Sequence, residues 1–343
     1  MGLASNAGFE PALLADYLSA SVPGCTGAPQ LERIGGGYSN PTFFLRFSGG
    51  ADLVLRKQPP GPLLKSAHAI DREYRIISAL SGTAVPVPKA LHYCEDPSVV
   101  GTPFYVMERL EGRVFHDNAL PGLSPSERSA IFESMNATLA ALHAVNPDAV
   151  GLGDYGRREG FIDRQIATWS RQYEKGMTRR VPEFEALGEW LAANAPKGPE
   201  ENTIVHGDFR LGNLMIHPTK PNVIAVLDWE LSTLGHPLSD LGYNLMAWIM
   251  DQSEHHGLGG LDLETLGIPS MRTYANAYLE RRGRGETLDP FFIALAFFRL
   301  AAIFEGIVSR AVAAGKPDAE IDEVRRFGPI FARHGLTIAQ TGV

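Results

Sequence analysis

The sequence is nearly free of cysteine, with only Cys25 and Cys94 among its 343 residues. Two thiols this far apart fit no metal-ligand spacing and no disulfide framework, which points to a reducing compartment. Dense runs of lysine and arginine are missing as well. The richest basic stretch, Arg157 to Arg180, is diluted by acids and aromatics, and the formal net charge is −8, so nothing suggests nucleic-acid binding. The N-terminus lacks the charged-then-apolar build of a secretory leader. Its first basic residue is Arg33, and Asn6 stands where a myristoylation pattern needs Ser or Thr. The most apolar segment, Phe291 to Phe304, is short for a bilayer and contains Arg299. The expectation is a cytoplasmic globular protein with neither a membrane nor a nucleic-acid partner.

What is present begins with periodicity. Residues 10–20 read as a short helix, and 31–34, 41–47 and 52–57 read as strands. The first two strands flank a glycine-rich turn, and Ser48-Gly49-Gly50 punctuates the next hairpin. Residues 68–80 carry Ile70, Ile76, Ile77 and Leu80 at helical spacing, and strands follow near 89–94 and 102–110. The character changes at Leu110-Glu111-Gly112. Helices are expected over 124–145, 158–176 and 183–194, then short strands over 203–206, 213–217 and 222–227, then helix nearly to the end after residue 237. This is an α+β fold class: a β-rich lobe over 1–110, an α-rich lobe over 111–343, and a cleft between lobes as a favoured ligand site.

The strongest chemical signal is His206-Gly207-Asp208-Phe209-Arg210-Leu211-Gly212-Asn213, with Asp228 following fifteen residues later in Leu227-Asp228-Trp229-Glu230. Each acid or amide sits beside a short apolar strand, which puts polar groups at strand ends. Phosphoryl transfer needs a carboxylate to accept or orient the proton of an attacking hydroxyl. It also needs an amide oxygen and a second carboxylate to hold metal ions on the nucleotide phosphates. Asp208, Asn213 and Asp228 supply these in order, and the Asp-to-Asn interval of five is that of a kinase catalytic loop. Arg210, inside the same segment, is a second candidate catalytic residue. A lone Asp–Asn pair in a loop is more often turn chemistry; the ordered set argues for function.

The chain resembles the aminoglycoside-phosphotransferase and choline-kinase-like superfamily. Within it, the likeness is closest to the kinase-like domain fused to, or encoded beside, certain acyl-CoA dehydrogenases. The His206–Asn213 segment and Val226-Leu227-Asp228-Trp229-Glu230-Leu231-Ser232 carry the superfamily signal. The narrower likeness rests on Gly36-Gly37-Tyr38-Ser39-Asn40-Pro41-Thr42, Leu53-Val54-Leu55-Arg56-Lys57, Ser66 to Glu73 and Gly101 to Glu108. The resemblance implies a protein-kinase-like two-lobed fold, ATP and Mg²⁺ as cofactors, Asp208 as catalytic base and Asn213 and Asp228 as metal ligands. It implies that His206 braces the loop. Asp240 would hold that loop from below, with a helix-interior or capping acid as the competing reading.

Gly36, Gly37, Ser39 and Asn40 are the candidate phosphate cover, although Asn40 departs from the protein-kinase glycine pattern. By strand alternation Arg56 faces the nucleotide, fixed by Glu73, with Lys57 as the alternative if the register slips by one. Glu108 and Leu110 mark the hinge whose backbone would meet the adenine edge.

The acceptor is less legible. The dehydrogenase-associated group acts on hydroxyacyl-CoA substrates, so the resemblance implies a hydroxylated small molecule, with a CoA thioester as the leading candidate and a functional link to an acyl-CoA dehydrogenase. Arg157, Arg158, Arg164, Lys175, Arg179 and Arg180 are the candidate basic rim for CoA, against the alternative of a solvated helix face. Trp169 and Tyr173 read as core packing, His255 and His256 as exposed. Arg299, Glu305 and Arg310 either pair within their helix or line the pocket. The alternatives are a kinase for another small alcohol (an aminoglycoside, a choline-like amine or a sugar) and a catalytically silent nucleotide-binding scaffold. The short stretch between Asp228 and Pro237 leaves no room for the peptide platform of a protein kinase.

Overall fold

Alternating apolar residues between Gln30 and Glu108 build a five-stranded antiparallel sheet, seen here in a computed structural model that describes residues 8–34, 40–61, 69–198, 200–285 and 287–342. Helix α1 (Pro11–Ser19) precedes β1 (Gln30–Ile34), β2 (Thr42–Arg46) and β3 (Asp52–Lys57). Helix α2 (Ile70–Leu80), β4 (Ala90–Cys94), the single-turn α3 (Pro97–Val100) and β5 (Phe104–Glu108) follow. The spatial order is β1-β2-β3-β5-β4.

Period two decides what each face of this sheet does. Phe43, Leu45, Leu53, Leu55, Phe104 and Val106 point to one side and are buried against Leu14 and Leu18 of α1 and Val100 of α3. Cys25 and Cys94 lie in the same apolar cluster as free thiols. The intervening residues Arg56 and Tyr105, paired across β3 and β5, point to the side that α2 covers.

The second half is helical. Helices α4 (Pro125–Ala144), α5 (Phe161–Gly176) and α6 (Pro182–Asn194) lead to three short strands, β6 (Thr203–Val205), β7 (Leu214–Ile216) and β8 (Val223–Val226). Strand β9 (Thr233–Gly235) pairs antiparallel with β6. Then come α7 (Pro237–Leu245), α8 (Leu263–Leu266), α9 (Met271–Arg282), α10 (Pro290–Ala313), α11 (Asp318–Arg325) and α12 (Phe327–Thr341). Helices α4, α7 and α10 each open on a proline behind a capping side chain, Ser124, His236 and Asp289 respectively. This is the arrangement that uses proline where its missing N–H costs nothing.

The chain divides into two units: Met1–Arg113 with Ile224–Glu230, and Val114–Val223 with Leu231–Val343. The segment that carries Asp228 therefore belongs with the sheet, where a single cut after residue 110 would have left it among the helices. The sequence also gave no sign of α3 or β9, which are too short to show a period.

Helix α10 is the centre of the helical unit and packs on α12, α5, α7 and α6. It runs for 24 residues and, among the described residues, is the one helix long and apolar enough to cross a membrane. Its most apolar window is 72 % buried inside the protein, as a core helix requires. Its approach to α7 is close: a Cβ at Gly242 would lie 2.4 Å from the Phe292 carbonyl oxygen, a backbone atom that cannot swing aside. Gly242→Ala should therefore destabilise the protein by about 1–3 kcal/mol, the usual cost of overpacking. Urea denaturation would measure it, and an unchanged midpoint would show that α7 and α10 can separate freely.

Candidate active site

The sheet unit holds the first half of the candidate set. Arg56 lies between two carboxylates, with Nε 3.2 Å from Glu73 Oε2 and Nη2 3.2 Å from Asp228 Oδ1. Glu73, in α2, is 1 % exposed and also accepts from the Tyr105 hydroxyl at 3.1 Å and from the Asn40 side-chain amide. Burial raises the Glu73 carboxyl above its ordinary value, and the neighbouring Arg56 charge works against that rise. Burial likewise disfavours the Arg56 charge, but Tyr105, Glu73 and Asp228 together outweigh it and hold the guanidinium firmly protonated.

Lys57 faces the other way. Its ammonium donates to the Val100 carbonyl and lies 5.0 Å from the centre of the Phe9 ring, and burial lowers its pKa. Strand alternation thus puts Arg56, not Lys57, beside Glu73. Asp228 adopts a left-handed backbone at φ 63°, a conformation in which Asp is several-fold enriched. The turn is anchored by Trp229, 1 % exposed, whose Nε1 donates to the Val226 carbonyl at 3.0 Å.

At Glu108 the backbone N–H bonds the Lys89 carbonyl at 3.0 Å, and the carboxylate accepts from the Lys89 N–H at 2.7 Å. The glutamate side chain is thereby held at the strand edge. Gly36, Gly37 and Ser39 lie outside the described residues.

The helical unit holds the second half. Asn213, in a single 3-10 turn over Leu211–Asn213, donates from its amide nitrogen to Asp208 Oδ2 at 2.7 Å and to the Asp208 carbonyl at 2.8 Å. With the nitrogen engaged on Asp208, the amide oxygen is left as the end that could serve a cation. The Asp208 N–H donates to His206 Nδ1 at 3.1 Å, so His206 braces the loop from inside. Arg210 Nε lies 3.4 Å from Asp208 Oδ2. At Gly207 φ is +81° and an added Cβ would meet the Leu231 carbonyl at 2.6 Å, so the loop accepts no other residue there without strain.

The loop is held by one face of α7. Asp240 is 1 % exposed and accepts from the His206 N–H at 2.6 Å and the Gly207 N–H at 2.8 Å. Four residues on, Asn244 donates to the Phe209 carbonyl at 3.3 Å. Tyr243, between them on the same face, has its hydroxyl pushed up by burial and by the nearby Asp208 charge. Positions i, i+3 and i+4 share a helix face, so the spacing was a readable signal for Tyr243 and Asn244 that sequence reasoning missed. Asp240 does sit in the first turn of α7, but its bonds reach back to the loop, and the cap itself is His236, whose Nδ1 accepts from the Leu238 N–H at 3.3 Å.

Behind Asp240 lies His143 of α4, whose Nε2 is 3.3 Å from Asp240 Oδ2 while Nδ1 meets the Tyr278 hydroxyl. Burial lowers the His143 pKa, so the ring is neutral near pH 7 and donates its Nε2 proton to Asp240. Burial alone would raise Asp240, but His143 and the contacts to His206 outweigh it and keep the carboxyl below its usual value.

Beside Asp208 opens a cavity of about 280 Å³. Its walls are largely aliphatic, with Met246, Met250, Leu300, Ile303 and Ile307. Among the residues that line it, Asp208 is the one carboxylate, and Arg210 and Arg299 are the cations. The expected basic rim does not reach it. Arg158 pairs with Asp148, Arg179 with Glu305, and Arg180 with Glu185. Arg164 bonds the Arg157 carbonyl. Tyr173 is core, stacked on Phe184 at 4.1 Å, while Trp169 faces Arg299 instead. His255 is exposed, as expected, yet stands in the cavity wall. Among the described residues no cluster of three or more His, Cys, Asp or Glu could hold a metal by itself. A magnesium ion that arrives on a nucleotide needs only one or two protein carboxylates besides the phosphates.

Residues 30–283 match the sequence profile of the phosphotransferase enzyme family. The chain belongs to that family. Acyl-CoA dehydrogenase family member 11 from Homo sapiens is 46 % identical to this phosphotransferase over 276 residues, covering 80 % of the chain and 35 % of the relative. Acyl-CoA dehydrogenase family member 10 from Mus musculus is 44 % identical over 294 residues, covering 84 % of the chain and 27 % of the relative. The phosphotransferase thus spans about a third of the length of these two relatives. An aminoglycoside phosphotransferase-like protein of Ralstonia eutropha superposes with a TM-score of 0.89 at 42 % identity, covering 97 % of this chain and 98 % of that one. A thermostable mutant of aminoglycoside phosphotransferase APH(4)-Ia, in complex with ADP and hygromycin B, shares the fold at a TM-score of 0.63 and 17 % identity, covering 97 % of this chain and 99 % of that one. The α+β, kinase-like fold expected from the sequence is the one observed.

Two outcomes follow from the Asp240 network. Asp240→Ala would leave the His206 and Gly207 N–H groups buried without acceptors and should cost on the order of 3–5 kcal/mol in urea denaturation. A cost below 1 kcal/mol would mean that the loop finds other acceptors. His143 takes up its proton less readily folded than unfolded, so its contribution to stability is complete above about pH 6.5 and declines as pH falls towards the depressed folded value. His143→Gln should flatten the stability profile below about pH 6.5; a profile as steep as the wild type's would assign that slope to other groups.

Proposed function

We propose that the protein transfers the γ-phosphoryl group of ATP to the hydroxyl of a small aliphatic acceptor, of which a hydroxyacyl-CoA is the best fit. The observation that carries this reading is the chemistry of the cavity beside Asp208. An aminoglycoside or a choline-like amine would need carboxylates or aromatic faces around its cationic groups. This cavity offers mainly aliphatic walls, two arginines, the rings of Phe304 and of Tyr243, the latter already facing Arg299, and a single carboxylate that the reaction itself requires. Its volume of about 280 Å³ suits an acyl chain, with the larger CoA moiety left outside. The names of the human and mouse relatives, acyl-CoA dehydrogenase family members, support an acyl-CoA context and a functional link to such a dehydrogenase.

In this reading Asp208 orients the acceptor hydroxyl and takes its proton as the oxygen attacks phosphorus. Asn213 and the Asp240 brace keep Asp208 aimed. Arg210, 3.4 Å from the same carboxylate, adds positive charge where the transferred group becomes most anionic. Arg56, fixed by Glu73, is the cation for the nucleotide phosphates, and Asn213 and Asp228 are the ligands for Mg²⁺. Mg·ATP supplies the phosphoryl group and neutralises charge on its oxygens. Asn40, hydrogen-bonded to Glu73, belongs to the nucleotide set, and the backbone at Glu108 and Leu110 would meet the adenine edge.

The test is ATP consumption with Mg²⁺ against hydroxyacyl-CoAs, kanamycin and choline. Turnover is expected on a hydroxyacyl-CoA, and Asp208→Ala should lower kcat by roughly 10²–10⁴ while nucleotide affinity persists. Preference for kanamycin or choline, or an Asp208→Ala variant at full activity, would overturn the reading.

A further inference from the structure

Arg299 projects from α10 into the helical unit without a carboxylate. Its guanidinium lies over two aromatic rings, 5.3 Å from the centre of Trp169 on α5 and 5.3 Å from that of Tyr243 on α7. Its Nε is buried and makes no hydrogen bond. The acid on the same helix is already committed, since Glu305 pairs with Arg179 at 2.9 Å. Arg299 lines the cavity that contains Asp208 and also a smaller recess behind Gly207.

A guanidinium held in an apolar wall without a counter-charge loses hydration and recovers part of it from aromatic faces. Its remaining N–H donors, fixed in a planar fork, then suit an oxygen acceptor on a ligand. Tyr243 relates this cation to the reaction. Its ring carries Arg299, and both side chains line the cavity that holds Asp208, so the carboxylate and the cation face one space.

We propose that Arg299 is the specificity-determining residue that binds the C1 oxygen of an acyl acceptor, a thioester carbonyl or the carboxylate of the free acid, while the acceptor's hydroxyl lies at Asp208. This deepens the hydroxyacyl reading above and rests on it. The cavity then selects for two oxygens on one aliphatic chain, one to be phosphorylated and one to be held. A simple alcohol of the same length meets only the first requirement.

The experiment compares wild type, Arg299→Gln and Arg299→Lys on three acceptors of equal chain length: a hydroxyacyl-CoA, the free hydroxy acid, and an alcohol without the C1 oxygen. Arg299→Gln should raise KM for the acyl acceptors by roughly tenfold to a hundredfold, the range for a lost hydrogen bond to a charged group, with a much smaller effect on kcat. The ratio of kcat/KM for acyl acceptor over alcohol should fall by a similar factor. Arg299→Lys, which keeps the charge but not the fork, should fall between the two. Whether thioester or free acid suffers the larger loss identifies the source of the oxygen. If Arg299→Gln and Arg299→Lys both bind Mg·ATP normally and lose equally on all three acceptors, Arg299 is structural and the proposal is overturned. If wild type turns over neither acyl acceptor, the hydroxyacyl reading itself has failed and this one with it.

Discussion

A single buried carboxylate holds the candidate catalytic loop in shape. Asp240 accepts the N–H groups of His206 and Gly207. Two adjacent donors converging on one carboxylate fix the direction in which the chain enters Asp208. Because Asp240, Tyr243 and Asn244 share one face of α7, the same helix also holds the Phe209 carbonyl and lines the cavity that contains Asp208. The helix is in turn seated against α10 through the bare backbone of Gly242. Loop geometry is therefore transmitted from the core through hydrogen bonds and one close helix contact, with no long or mobile side chain in between.

Charge placement tells a second story. Elsewhere in the described chain many buried or half-buried arginines meet an acid: Arg56 has Glu73 and Asp228, Arg179 has Glu305, Arg282 has Glu201. Such pairing offsets part of the desolvation that an isolated buried charge would suffer. In the cavity wall beside Asp208, Arg210 meets that carboxylate, while Arg299 lies over the Trp169 and Tyr243 rings instead of an acid.

Much of this was legible in the sequence because it depends on short-range order. The interval from Asp208 to Asn213 and the strand position of Arg56 follow from local spacing alone, and α4, α5 and α6 begin and end within a few residues of their expected bounds. Asp240 was ambiguous because an acid in a first helical turn reads equally well as a cap, and its real partners lie 34 and 33 residues upstream. His143 gave no sign at all, since a lone histidine in an amphipathic helix has no local partner to betray it. Arg299 was undecidable for the opposite reason: an apolar run says that its helix is buried but not which neighbours face each position. The basic stretch over 157–180 misled because its arginines meet acids at Asp148, Glu185 and Glu305.

The central claim is that phosphate is delivered to a hydroxyl on an acyl chain. The most direct measurement is mass spectrometry of the products after incubation with Mg·ATP and a hydroxyacyl-CoA, followed by mild hydrolysis of the thioester. The account predicts that the added phosphoryl group travels with the released acid and leaves CoA unmodified. Phosphate found on the CoA fragment, or ATP hydrolysed to ADP and free phosphate with the acyl chain untouched, would contradict it.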